Sequence, residues 1–270
     1  MVSQSARTKT SSPWENAEAY NSFIGRWSRD VAIEFIKWLA PIPGINWLDI
    51  GCGTGALSQA ILQNAEPFAV KGLDLSQDFV SYARRTIADE RATFNIGDAM
   101  ALPVETGAYD AAVSGLVLNF MPMREQAVAE MKRAVRPGGM LAAYVWDYGG
   151  RVQPLRHFWN AAVALDPSAY DLDEGRRFTI CNPESLTALF SRAGLEEIIV
   201  RALDVWIEFK DFDDYWNHFR TGIGPAAAYC KSLPREKQTA LRKRLQNSLP
   251  AALDGSIPLV GRAWAICGIR

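Results

Sequence analysis

The chain has 270 residues, 49% hydrophobic and 22% charged, enough to bury a sizeable core as one α/β domain or one domain with an appendage. Lys and Arg total 29 against 30 Asp and Glu, and a net charge of -1 gives no field to hold a nucleic-acid backbone or an anionic membrane. Four scattered cysteines, Cys52, Cys181, Cys230 and Cys267, and two histidines, His157 and His218, argue against a structural zinc site, a His-rich metal centre or a secreted disulfide framework.

A reducing, cytoplasmic setting fits these counts, and no metal is expected. Met1 to Ser12 is polar and reads as a frayed tail rather than a signal peptide. Trp14 to Arg26, with Trp14, Tyr20 and Phe23, reads as a short helix lying across the body. Ser28 to Ala40 carries Val31, Ile33, Phe35, Ile36 and Leu39 at helical spacing and is ended by Pro41, Pro43 and Gly44. Ile45 to Ile50 is a short apolar run that stops at a cluster of glycines, and Ala56 to Leu62 is helical. Phe68 to Leu75 is a second strand, and Ser76 is placed to cap the helix that runs through Ala88. Ala92 to Ile96 is a third strand, closing at Gly97-Asp98.

The apolar, charge-free run Ala111 to Met123 is too short to span a bilayer, and its start belongs to a fourth strand, Tyr109 to Ser114. A helix follows over Gln126 to Val135, stopped by Arg136-Pro137-Gly138-Gly139, and Met140 to Trp146 is a fifth strand. This alternation indicates a parallel sheet covered on both faces, since each parallel connection must cross over. The rhythm then loosens into helices at Leu155 to Leu165 and Pro183 to Ala193, a long strand at Ile198 to Phe209, and a helix from Asp211 to Arg220. A charged helix over Arg235 to Leu249, read as a solvated face, precedes a last strand at Ile257 to Ile269.

The most informative stretch is Leu48-Asp49-Ile50-Gly51-Cys52-Gly53-Thr54-Gly55. Glycines at alternate positions after a buried strand let the backbone turn sharply and approach a ligand with no Cβ in the way. The helix that follows points free N–H groups into the same space. A dinucleotide fingerprint would place its third glycine at position 56, which is Ala56, and no Gly-Lys-Ser/Thr follows for a phosphate-cradling loop. Asp49 inside the strand suits a ligand with a cationic end better than a pyrophosphate. Asp74 ends the second strand, where an acid can accept hydrogen bonds from both ribose hydroxyls. Asp98 ends the third and can order an adenine edge, with Leu75 and Met100 covering the faces. Three such strand ends make a nucleoside pocket.

With these residues in place, the segment from Trp47 to Trp146 resembles the class I S-adenosylmethionine-dependent methyltransferases, in their small-molecule, ubiquinone/menaquinone-methyltransferase-like branch. The glycine motif, Asp74, Asp98-Ala99, the strand-four stretch Tyr109-Asp110-Ala111-Ala112-Val113-Ser114 and the turn Arg136-Pro137-Gly138-Gly139 occur in the family's order. The resemblance implies a doubly wound, seven-stranded, mostly parallel, Rossmann-like α/β sheet whose last strand is antiparallel, with helical lid insertions. It divides the chain into an N-terminal helical cap (1–44), a cofactor-binding core (45–147), and lid helices with the last two strands of the same sheet (148–270).

The same resemblance implies roles. Gly51 and Gly53, with Asp49 and Cys52 of the same motif, take the methionine portion of the cofactor, and Thr54 hydrogen-bonds its carboxylate. Asp74 and Leu75, then Asp98, Ala99 and Met100, hold the nucleoside, while Ser114 and Leu116 line the space beneath the sulfonium. Arg26 pairs with the cofactor carboxylate, and Tyr20 closes the roof. Many relatives carry histidine after strand four, where this chain reads Leu118-Asn119-Phe120-Met121-Pro122. His157 and Tyr20 therefore stand as the candidate bases, with His218 a weaker one. The expected activity is transfer of the cofactor's methyl to a small apolar or aromatic acceptor, at O, N or C, by in-line displacement governed by positioning. The expected partner is that small molecule, with no nucleic acid and no membrane, in a monomer or homodimer. Two rivals remain: a nicotinamide-dependent oxidoreductase, disfavoured by the glycine spacing, and a cofactor-binding protein that has lost turnover.

Overall fold

The computed structural model describes residues 25–270. The chain enters through helix α1 (Gly25–Leu39) and then alternates β1 (Asn46–Ile50), α2 (Ala56–Asn64), β2 (Ala69–Asp74), α3 (Gln77–Thr86) and β3 (Ala92–Ile96). β4 (Tyr109–Gly115), α4 (Arg124–Ala134) and β5 (Val135–Trp146) follow. After them come α5 (Gln153–Leu165), the one-turn α6 (Glu174–Arg177), α7 (Pro183–Arg192), β6 (Glu196–Phe209), α8 (Phe212–Thr221), α9 (Pro225–Ser232), α10 (Arg235–Ser248) and β7 (Ile257–Ile269).

All seven strands join one sheet in the order β3-β2-β1-β4-β5-β7-β6. β1 lies parallel between β2 and β4, with Leu48 opposite both Lys71 and Ala112. β7 slots between β5 and β6 and runs antiparallel to both, pairing Ala142 with Cys267 and Val200 with Ile266. The expected seven-stranded sheet with its last strand reversed is therefore present. Trp47, Leu48, Val113, Leu141 and Ala142 are fully buried, because helices cover both faces of the central parallel strands. α1 buries Val31, Ala32, Phe35 and Ile36, one stripe at helical spacing. Its Phe35 ring meets Tyr144 of β5 at 4.6 Å, which fixes the helix to the sheet.

Local expectations hold where local chemistry decides. Ser76 Oγ accepts the Phe79 N–H at 3.4 Å and starts α3. Along α10, Lys237 pairs with Asp166 and Arg242 with Asp213, and the helix buries only Leu241 and Leu245, which makes it a solvated face. Two differences stand out. Arg136-Pro137-Gly138-Gly139, expected as a turn ahead of β5, is a bulge within its first residues: between two paired positions β5 advances from Val135 to Met140 while β4 advances from Tyr109 to Ala111. Arg136 Nε donates to Asp110 Oδ1 at 2.6 Å and clamps that bulge to β4. Helix α9 has no counterpart in the sequence reading, because its run Pro225-Ala226-Ala227-Ala228 supplies a helix start and helix formers but no large apolar residue to set a period.

Candidate active site

The site lies at the carboxyl ends of β1 to β4. After Ile50 the chain turns through Gly51 (φ 70°) and Gly53 (φ 54°), both in the left-handed region that side chains disfavour. The N–H groups of Gly51 and Cys52 both donate to the Leu73 carbonyl, at 2.7 and 3.0 Å, tying the loop to β2. A Cβ at Gly51 would stand 2.4 Å from Val117 Cγ1, whereas at Gly53 it would meet nothing within 4 Å. The loop is packed on one side and faces open space on the other.

That space is a cleft of about 810 Å³, lined by Gly51, Gly53, Asp74, Leu75, Asp98, Ala99, Met100 and Leu116, and also by Phe120, Trp146 and Tyr148. Asp74 lines the cleft. Its Oδ2 accepts the Gly53 N–H at 2.9 Å and its Oδ1 accepts the Ser76 N–H at 2.8 Å. Burial pushes its carboxyl up from the ordinary value, and these backbone donors oppose the shift. The Leu75 N–H bonds to it as well, and the carboxylate still has acceptor capacity left for a ligand. Asp98 Oδ1 accepts the Met100 N–H at 2.9 Å, which presents the acid and the apolar Met100 side by side. Leu75, 65% exposed, is a large apolar side chain left open on the cleft wall. Leu116 holds a positive φ of 62° without being glycine, the kind of backbone strain that concentrates at functional sites.

Other expected residues lie beneath the cleft rather than on its walls. Asp49 is fully buried: Ser58 Oγ donates to its Oδ2 at 2.7 Å, while Oδ1 has no hydrogen-bond partner among the described residues. Burial raises its carboxyl to about 7. Ser114, also fully buried, leaves its Oγ without a partner in the same sense. Cys52 turns into a small apolar cluster with Val80, Ala83 and Phe94, and Thr54 is buried at the start of α2. Tyr20 and the Trp14 to Arg26 helix expected before α1 lie outside the described residues apart from the helical backbone from Gly25, and the Arg26 side chain lies outside them too.

A second, smaller cavity of about 50 Å³ adjoins the cleft and shares Phe120, Trp146 and Tyr148 with it. Leu155, Phe178, Ile207 and Phe219 make its walls apolar, and two polar side chains reach it, Glu174 from α6 and His218 from α8. The His218 ring lies 4.9 Å from that of Trp27 on α1. His157, expected as a base, is half-buried on α5 and lines neither cavity, and burial lowers its pKa. The structure thus brings His218 rather than His157 to the apolar chamber. Glu174 was not singled out from the sequence, because Asp171-Leu172-Asp173-Glu174-Gly175-Arg176-Arg177 reads as a solvated charged run. Its burial arises from tertiary packing against Trp159.

Residues 48–143 match the methyltransferase-domain family. The chain is 30% identical over 174 residues to a demethylmenaquinone methyltransferase of Desulfitobacterium hafniense, spanning 57% of this chain and 67% of that one. The chain belongs to the S-adenosylmethionine-dependent methyltransferases. It is also 35% identical over 122 residues to a 2-methyl-6-phytyl-1,4-hydroquinone methyltransferase of Synechocystis, covering 45% of this chain and 38% of that relative. A phosphoethanolamine N-methyltransferase of Haemonchus contortus, solved with S-adenosylhomocysteine, shares the fold at a TM-score of 0.59 and 16% identity, over 94% of this chain and 56% of that one.

The residues of this methyltransferase fit that cofactor. The open face at Gly53 leaves room for a chain to lie against the loop, Asp74 offers acceptors to a diol, and Leu75 and Met100 offer apolar cover to a flat base. Nothing in the sequence, the fold or the relatives supports a nicotinamide enzyme. Among the described residues no helix is long and apolar enough to cross a membrane, and no cluster of His, Cys, Asp and Glu could hold a metal ion.

Proposed function

We propose that this methyltransferase transfers the cofactor's methyl to a small apolar or aromatic acceptor seated among Phe120, Trp146 and Tyr148, where the cleft meets the smaller cavity. One observation carries the reading: the cofactor cleft and the smaller apolar cavity share those three residues, so an acceptor seated among them lies beside the cofactor's cleft with apolar space to extend into. When bound, S-adenosylmethionine supplies an activated methyl on a sulfonium, so the protein's work is alignment and exclusion of water. In this reading Asp74 and Asp98 orient the nucleoside, the Gly51 to Gly53 loop receives the methionine portion, and Leu116 covers the reacting end. The printed names of two relatives, which act on a menaquinone precursor and on a hydroquinone, support an aromatic acceptor. A cytoplasmic setting agrees with four cysteines that are all unpaired.

Calorimetry with S-adenosylhomocysteine and with NAD, followed by methylation assays over a panel of small aromatic and aliphatic acceptors, tests this function. Binding of S-adenosylhomocysteine alone, with transfer to at least one apolar acceptor, is expected. NAD binding would overturn the cofactor assignment. Tight cofactor binding with no transfer to any panel member would make the protein a cofactor-binding partner instead.

A further inference from the structure

The acceptor cavity contains a buried charge that alignment alone does not require. Glu174, 4% exposed, lines a mostly apolar chamber whose other walls include Leu155, Phe178, Ile207 and Phe219, with Tyr148 and His218. The indole N–H of the fully buried Trp159 donates to Glu174 Oε2 and fixes the carboxyl's orientation. Arg156 acts on it from nearby without an ion pair. The Arg156 guanidinium is instead forked onto the neighbouring Asp173, with Nη1 donating to Asp173 Oδ2 at 2.9 Å and Nη2 to Oδ1. Among the described residues no ion pair reaches Glu174. The carboxyl's own backbone N–H also bonds to it, and two neutral donors leave acceptor positions on its oxygens for a further donor, which a buried carboxyl favours. The chamber's apolar walls disfavour a cationic ammonium, which leaves a neutral hydroxyl as the group that satisfies the carboxyl without burying a second charge.

We infer that Glu174 is the general base of this site, binding the hydroxyl of an apolar, phenol-like acceptor and taking its proton. The inference rests on the acceptor site proposed above. The step balances: the hydroxyl oxygen forms its bond to the methyl carbon, the electron pair of the breaking carbon–sulfur bond goes to sulfur, and the O–H proton passes to the Glu174 carboxylate. A base with a pKa near the working pH suits this task, and burial raises Glu174 to about 7. The charged groups that act on it are Asp173, which raises it further, and Arg156, which lowers it, while His218 faces the same chamber from α8.

The test compares 2-naphthol, 2-methoxynaphthalene and 2-naphthylamine, each bound to the intact protein saturated with S-adenosylhomocysteine. The parent is expected to bind the naphthol about tenfold tighter than the ether, the difference made by one charge-assisted hydrogen bond. That preference grows as pH rises through the Glu174 transition and the carboxylate forms. Glu174→Gln abolishes both the preference and its pH dependence, and it lowers O-methylation of the naphthol by about a hundredfold, the scale of a lost general base. Trp159→Phe removes a hydrogen bond that lowers the Glu174 pKa, so the transition read in the naphthol preference moves to higher pH, whereas a carboxyl that does not touch the acceptor gives that preference no transition to move. Equal binding of naphthol and ether, tighter binding of the amine, or an unchanged preference in Glu174→Gln overturns the inference. Failure of the parent to bind S-adenosylhomocysteine would overturn the proposed function instead, so the two failures are distinguishable.

Discussion

The carboxylate of Asp74 accepts the backbone N–H of Gly53 at 2.9 Å, so the residue that ends β2 also fixes the loop that follows β1. The same side chain accepts the Ser76 N–H and helps to start α3. One carboxylate thus joins three elements at the point where the cofactor's sugar is expected.

Replacing that residue has two consequences. Asp74→Ala is expected to weaken S-adenosylhomocysteine binding by about 1–3 kcal/mol, because the ribose hydroxyls lose their acceptor. It also lowers the melting temperature, since the Gly53 and Ser76 N–H groups lose their partner. Calorimetry and thermal unfolding of the same variant separate the two. Parent-like cofactor affinity would show that the sugar binds elsewhere.

The glycines of the loop predict opposite phenotypes. At Gly51 a Cβ collides with Val117, so Gly51→Ala is expected to destabilise the fold. At Gly53 the space is open, so Gly53→Val costs about 1–2 kcal/mol of left-handed backbone strain but leaves the chain folded. Its side chain fills the cleft, and cofactor binding is lost. Circular dichroism beside a binding isotherm reads both effects, and a Gly53→Val protein that bound cofactor like the parent would contradict this geometry.

Asp49 predicts the pH dependence of stability. Its carboxyl is raised from 3.8 in the unfolded chain to about 7 in the fold, because burial disfavours the charged form. The folded state therefore binds an extra proton between those values. The stability this contributes is fully present below about 3.8 and is lost as pH rises through about 7. The neutral Asp49→Asn variant should lack this share, up to about 1.4 kcal/mol per pH unit within the window. Glu174, raised in the same direction, keeps part of the slope in that variant. Melting temperatures from pH 4 to 8 are the measurement, about one unit beyond the window at the alkaline end, and identical slopes for parent and variant would mean that Asp49 ionises freely.

The two histidines are distinguished by position. His157→Ala should leave turnover within about twofold of the parent at every pH, since it lines neither cavity. His218→Ala opens the wall between Trp27 and Phe219 and should raise the acceptor's KM by about fivefold or more while cofactor affinity holds. Steady-state kinetics with the acceptor varied at saturating cofactor decide it.

What could be read from the sequence was what the backbone decides locally. The Gly51 to Gly55 spacing, the strand-ending Asp74 and Asp98, and the Ser76 cap each write their geometry into a few adjacent residues. Glu174 could not be found this way, and His218 stood only as the weaker candidate base, because the two come to one chamber only when α6 and α8 pack around it. Asp49 was recognised as part of the motif, but its full burial under Ser58 depends on how α2 lies over β1. The Arg136 to Gly139 bulge was hidden for a similar reason: Pro and Gly normally mark a turn, and it is distant contacts, Arg136 with Asp110 and the backbone of Gly138 and Gly139 with Arg270, that keep the segment in the sheet.

The insertion of β7 between β5 and β6 has a consequence for synthesis. β6 pairs with β7 alone, Phe209 opposite Ile257, so a growing chain makes β6 before its one partner exists. At roughly 5–20 residues per second, the ribosome leaves that strand unpaired for seconds while α8 to α10 emerge. Glu196, Arg201, Asp204 and Glu208 place charge along it, which discourages pairing with a foreign strand during the wait. The order of the sheet thus makes the nascent chain's most exposed interval coincide with the strand best guarded by charge.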